Sequence, residues 1–137
     1  MLLCVKKNYM KHDIQTRDDL FLLVKTFYEK LFADELLQTI FIDVAKIKLE
    51  EHLPILVDFW DSILLDGDTY RRNQMEKHTE LNKKFRLEKQ HFDQWIFLWN
   101  QTIDELFIGE KAEHAKFRAK SIADIMSYKM DYLNKEL

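Results

Sequence analysis

Only two glycines and one proline, Gly67, Gly109 and Pro54, occur in 137 residues. Average usage of these two residue types is about 12%, so the chain lacks the punctuation that hairpins, sandwiches and glycine-rich phosphate loops need. The expectation is an all-α domain. At this length one domain is expected, spanning 1–137 with residues 1–12 as an N-terminal extension. Lys and Arg number 21 against 24 Asp and Glu, a formal charge of −3, so no basic field collects phosphates. Nucleic acid and an anionic membrane surface are therefore not expected partners. Disorder is disfavoured at 47% hydrophobic content.

The apolar runs are only a few residues long, such as Leu20 to Val24 and Ile63 to Leu65, and fall far short of the ~20 residues that span a bilayer. The N-terminus has no apolar core of signal-peptide length. Cys4 is the lone cysteine, so no intrachain disulfide can form and a reducing cytoplasm is the expected location.

Apolar periodicity divides the chain into helices. Thr16, followed by Asp18 and Asp19, reads as an N-cap with acids in the first turn. From there Leu20, Val24, Phe27, Tyr28 and Leu31 share one face. A brief apolar stretch, Leu36, Leu37, Ile40, Phe41 and Ile42, allows a turn or two. A second long helix carries Leu49, His52, Leu53, Leu56, Phe59, Trp60 and Ile63; Pro54 lies in its first turn or at a kink, and Asp66-Gly67-Asp68 ends it. Residues 69–81 form a short, poorly covered helix with Met75, His78 and Leu81 on one side. Phe92, Trp95, Ile96, Trp99, Ile103, Leu106 and Phe107 mark a third strong helix closed by Gly109. The last helix presents Ala112, Ala115, Ala119, Ile122, Ala123, Met126, Met130 and Leu133, whose small residues allow close approach of a neighbour and a central position.

Common catalytic patterns are missing. None of His12, His52, His78, His91 and His114 falls in HExxH, and two glycines cannot build a dinucleotide or P-loop fingerprint. Ser62, Ser121 and Ser127 lie inside helical patterns, not on the sharp turn that a nucleophilic serine needs. Singly, His52 and His78 read as histidines at helix rims, and Tyr28 and Trp95 as core aromatics whose polar tips meet carbonyls. Together, two histidines, a tyrosine and a tryptophan projecting from four helices into an aromatic interior suit a flat apolar cofactor with a metal at its centre.

The sequence resembles the group III truncated haemoglobins of bacteria from about Asp13 to Leu133. The resemblance is carried by Phe27-Tyr28-Glu29-Lys30-Leu31, Leu36-Leu37 with Ile40-Phe41, Glu51-His52-Leu53-Pro54 with Phe59-Trp60, Tyr70 with Met75-Glu76-Lys77-His78, His91-Phe92 with Trp95, and Ala119 with Ile122-Ala123. Three positions depart from the family pattern: Arg72 and Gln74 replace a glycine and a proline before the proximal histidine, and Gln94 replaces a frequent arginine, removing any ion pair there.

The resemblance implies a truncated globin-like two-over-two helical sandwich holding haem b. His78 would be the metal ligand, Tyr28, Trp95 and His52 the distal residues, and Phe41, Leu56, Phe59, Leu81, Phe85 and Phe92 the haem lining. It further implies binding of O2, NO and CO, and an unidentified reductase as partner. A monomer or weak dimer is expected. Two distal donors would hold O2 tightly, which suits NO detoxification by a dioxygenase reaction, or peroxide chemistry, better than O2 delivery. Two other readings stay open. One is a haem-less globin-like helical domain serving as an interaction or sensor module. The other is a non-haem metal site of the Glu-x-x-His type, approached by Glu88-Lys89-Gln90-His91 and, with the wrong spacing, by Glu110 and His114.

Overall fold

The computed structural model describes residues 11–44, 46, 48–67, 74–84 and 86–136, with backbone only at 43, 44, 74–77, 84 and 136. Five α-helices and one π-helical turn make up the described chain: α1 Arg17–Ala33, the π turn Thr39–Val44, α2 Leu49–Leu64, α3 Gln74–Lys84, α4 Lys89–Leu106 and α5 Glu110–Glu136. The expected all-α class holds.

Helix α1 starts where its cap residues require. Thr16 is extended, its hydroxyl accepts from the Asp19 N–H at 3.1 Å, and the Asp19 carboxylate accepts from the Thr16 N–H at 3.0 Å. Two orphan donors of the first turn are thereby satisfied reciprocally. The expected face is buried, with Leu23 added to Leu20, Val24, Phe27, Tyr28 and Leu31. Beyond the helix, Asp34 accepts from the N–H groups of Leu36 and Leu37 at 3.1 and 3.0 Å and begins the next turn. Its other oxygen accepts from Gln94 Nε2 at 2.8 Å. Gln94, where no ion pair is expected, thus makes a charge-assisted amide hydrogen bond joining the α1 end to α4.

Helix α2 differs from expectation in which residues it buries. Val57, Trp60 and Leu64, spaced i, i+3 and i+7, are its buried residues. The expected stripe had included Trp60 alone of these three. His52, Leu56, Phe59 and Ile63, spaced i, i+4, i+7 and i+11, form an adjoining face that stays half-exposed. Pro54 is the sixth helical residue, past the first turn, and its exposed position lets the missing N–H be tolerated without a buried orphan.

Helices α4 and α5 pack closely, as the alanines require. Ala112, Ala115, Ala119 and Ala123 are buried, and the Trp99 indole N–H reaches the Ala115 carbonyl at 3.2 Å. Trp99 also stacks on Trp60 of α2, with ring centroids 4.7 Å apart, and Phe27 of α1 meets it edge-on at 5.0 Å. The α1–α2 pair is thereby joined to the α4–α5 pair through aromatic contacts at the core.

The corner between α4 and α5 is closed by residues from far away in sequence. Gly109 has φ +146°, and a Cβ there would lie 2.4 Å from Asp13 Cγ. The Asp13 carboxylate accepts from the N–H groups of Lys111 and Ala112 at 2.9 and 2.8 Å, and so caps α5. Burial pushes this carboxyl up, but those two N–H groups, the Ile14 N–H and the Lys111 charge outweigh it and leave the pKa below the usual carboxylate range. His12 pairs with Phe107, and the Lys11 ammonium donates to the Asp104 carbonyl at 2.6 Å, so residues 11 and 12 are fastened to the domain.

Candidate functional site

Tyr28 sits at the meeting of α1, α2 and the π turn. Its ring meets His52 edge-on with centroids 5.5 Å apart, Phe41 at 5.8 Å, Phe32 at 6.0 Å and Phe27 at 5.5 Å. The π turn is what delivers Phe41 to this cluster, and Ile40 beside it is buried in the core. Burial pushes the Tyr28 phenol well above its usual pKa, so it remains a neutral O–H donor. That hydroxyl makes no hydrogen bond among the described residues.

Trp95 of α4 reaches the same region through Phe27, whose ring lies 5.5 Å from it edge-on. The indole is half-buried and runs parallel to Trp99 at 6.2 Å. Its N–H, like the Tyr28 hydroxyl, has no acceptor among the described residues, whereas the Trp99 N–H is satisfied inside the core. The two tryptophans one turn apart are therefore differently used: one is a packing residue, the other presents a donor.

The remaining expected residues divide by element. His52, Leu56 and Phe59 share the half-exposed face of α2, and Phe41, Leu56, Phe59, Leu81, Phe92 and Trp95 all pack against the core while partly exposed. His78 is half-buried on α3, one turn before Asn82. Phe92 also lines a groove of about 810 Å3 between the first half of α4 and the second half of α5, together with Ile96, Ala123 and Ser127. Phe85, Tyr70 and Arg72 lie outside the described residues, as do the side chains of Gln74 and Met75.

His91, buried at the start of α4, is a capping residue. Its Nδ1 accepts from the Glu88 N–H at 2.9 Å while the Glu88 side chain accepts from the His91 N–H. Desolvation lowers its pKa, which keeps Nδ1 unprotonated and able to accept. The Glu-x-x-His spacing at Glu88 and His91 thus serves the helix start. Among the described residues, no three His, Cys, Asp or Glu side chains gather as a metal site.

The fold and the sequence both point to one group of proteins. A solved structure of a group III truncated hemoglobin from Campylobacter jejuni superposes with a TM-score of 0.78, covering 88% of this chain and 95% of that one at 22% identity. The chain is similar to the group III truncated haemoglobins and has their fold. A curated relative, the group 3 truncated hemoglobin ctb of Campylobacter jejuni subsp. jejuni serotype O:2, is 26% identical over 117 residues, 83% of this chain and 90% of the relative. No protein-family profile matches the chain. The resemblance and the two-over-two class read from the sequence are both shown by these matches. No described helix is long and apolar enough to cross a membrane.

Proposed function

We propose that this truncated globin binds haem b and handles diatomic gases, O2 and NO foremost, with His78 as the iron ligand. The observation that carries the reading is the half-exposed face of α2, His52, Leu56, Phe59 and Ile63, standing beside Tyr28, whose hydroxyl makes no hydrogen bond among the described residues. A half-exposed, largely apolar helix face suits a flat apolar group. The Tyr28 phenol beside it can donate to a ligand bound there. The similarity to a truncated hemoglobin of Campylobacter jejuni supports the same cofactor.

Bound there, haem supplies an iron centre that takes O2, NO or CO. The residues around it do the selecting. Tyr28 would donate a hydrogen bond through its phenol to a ligand held there, and the packing of its ring against Phe27, Phe32, Phe41 and His52 holds that donor in place. Trp95 adds a second N–H that can only donate. His52 stands at the edge of the Tyr28 ring, where it orders the distal side and meets any ligand entering along α2. Leu56, Phe59, Phe41, Leu81 and Phe92, each partly buried against the core, would exclude water from the apolar faces. Such a pocket favours retention of O2 and chemistry on it, including NO oxidation to nitrate with electrons from a reductase.

Visible absorption of protein expressed with haem available tests the reading. An intense Soret band that moves on dithionite reduction and again with CO is the expected result. A colourless protein that takes up no added hemin overturns it in favour of a helical interaction module. Nitrate formation from NO by the O2-loaded protein then separates turnover from binding.

A further inference from the structure

Helix α3 is the most polar of the five, and among its described side chains Leu81 alone is an apolar residue packed on the core. Among the described side chains, hydrophobic burial is therefore a weak restraint on where this helix sits. A polar restraint takes its place. Asn82, 7% exposed, accepts from the Leu87 N–H at 2.8 Å and donates through Nδ2 to Asn134 Oδ1 of α5 at 3.0 Å. Asn134 in turn donates through Nδ2 to the Leu87 carbonyl at 3.4 Å. Two amide side chains thus clasp one backbone residue between them. They fasten the end of α3, the start of α4 and the last turns of α5 at a single point.

Asn82 follows His78 by four residues, which places both on one side of α3. We propose that Asn82 is a positioning residue for the iron ligand: the clasp with Asn134 and Leu87 fixes the rotation and axial position of α3, and through them the direction of the His78 ring. The proposal rests on the reading that His78 ligates iron. The bridged amide resists rotation, because turning the helix would break both Asn82 bonds and leave the buried Leu87 N–H without its acceptor. One turn of helix is too short to absorb such a rotation, so the ring moves with the clasp.

The test is resonance Raman spectroscopy of the iron–histidine stretch in the ferrous protein, together with the rate of hemin transfer to an excess of a tight-binding apoglobin. Asn82→Ala is expected to shift and broaden the stretch and to speed hemin loss about tenfold. Asn134→Asp keeps an acceptor for Asn82 Nδ2 and loses only the longest bond of the clasp, so its band and hemin loss stay within about twofold of the parent. Should Asn82→Ala fail to fold, Asn134→Leu removes both Asn134 bonds and leaves only that of Asn82 to Leu87; it is expected to shift the band in the same direction, and a parent band and hemin-loss rate would overturn the proposal. An Asn82→Ala protein that melts earlier but keeps the parent band and hemin-loss rate overturns the proposal, since the clasp then stabilises the fold without aiming the ligand. Absence of an iron–histidine band in the unaltered protein overturns instead the His78 assignment beneath it.

Discussion

The rings of Tyr28 and His52 meet edge to face, 5.5 Å between centroids and 76° between planes. Residues from two helices are thus in contact at the point where α1 and α2 open onto the half-exposed face. Phe41 and Phe32 close two further sides of the tyrosine at 5.8 and 6.0 Å. Enclosure of this kind restrains the Tyr28 ring on several sides, which is what preorganisation of a donor requires.

Tyr28→Phe removes that hydroxyl and keeps the ring contacts. A hydrogen bond to a partly charged ligand contributes about 1.5–3 kcal/mol. The variant should therefore release O2 at least about tenfold faster, measured by stopped-flow displacement with CO. A rate within about twofold of the parent would remove Tyr28 from ligand stabilisation.

Trp95→Phe asks the same question of the second donor. Because Phe27 touches both rings, the two donors share a neighbour and their effects should not add. Each single variant is expected to speed O2 release, and the double variant to fall short of the product of the two. Strict additivity would mean that the two groups act on separate features of the pocket.

Much of this arrangement was legible in the sequence, and the exceptions have physical causes. The Thr16 cap and the inner face of α1 follow from local chemistry and period, and the structure agrees at each residue. The α2 stripe mixed two faces, because period alone marks apolar residues without saying whether a protein neighbour covers them. Val57 and Leu64 escaped notice because they flank that stripe. The clasp of Asn82 with Asn134 joins residues 52 apart, and the Asp13 cap joins residues 98 and 99 apart. Single asparagines and aspartates carry no signal of such distant partners.

His78→Ala should abolish stable haem retention, with loss of the Soret band after gel filtration, while the helical far-ultraviolet signal persists. The latter is expected because the described core is built mainly by α1, α2, α4 and α5, and α3 contributes little to it. Full retention with an unchanged spectrum would transfer the ligand role to another residue.

Alkaline pH should weaken the fold through Tyr28. Its pKa is raised on folding by burial, so the stabilisation is present in full below the ordinary tyrosine value of about 10 and is lost as pH rises toward the folded value. Tyr28→Phe should flatten the alkaline limb of a urea-midpoint profile. An identical limb in both proteins would show that other groups set it.

Acid should act through Asp13, with the opposite sign. The carboxylate accepts from Lys111, Ala112 and Ile14, and its pKa lies below the ordinary value of about 3.9. Its stabilisation is therefore present above that ordinary value and is lost as pH falls through the folded one. Losing such a cap costs about 0.5–2 kcal/mol, since the first N–H groups of α5 become orphans. Asp13→Ala should lower the urea midpoint at neutral pH and make it less dependent on pH in the acid range. Asp13→Asn retains one oxygen acceptor and should fall between the two. Gly109→Ala attacks the same corner from the other side, because a Cβ would meet Asp13 at 2.4 Å on a backbone of φ +146°. If Asp13 caps α5, the two substitutions share one interaction, and adding Gly109→Ala to Asp13→Ala should cost less than it does in the parent. Equal costs in both backgrounds would show that Gly109 is needed for its backbone conformation alone.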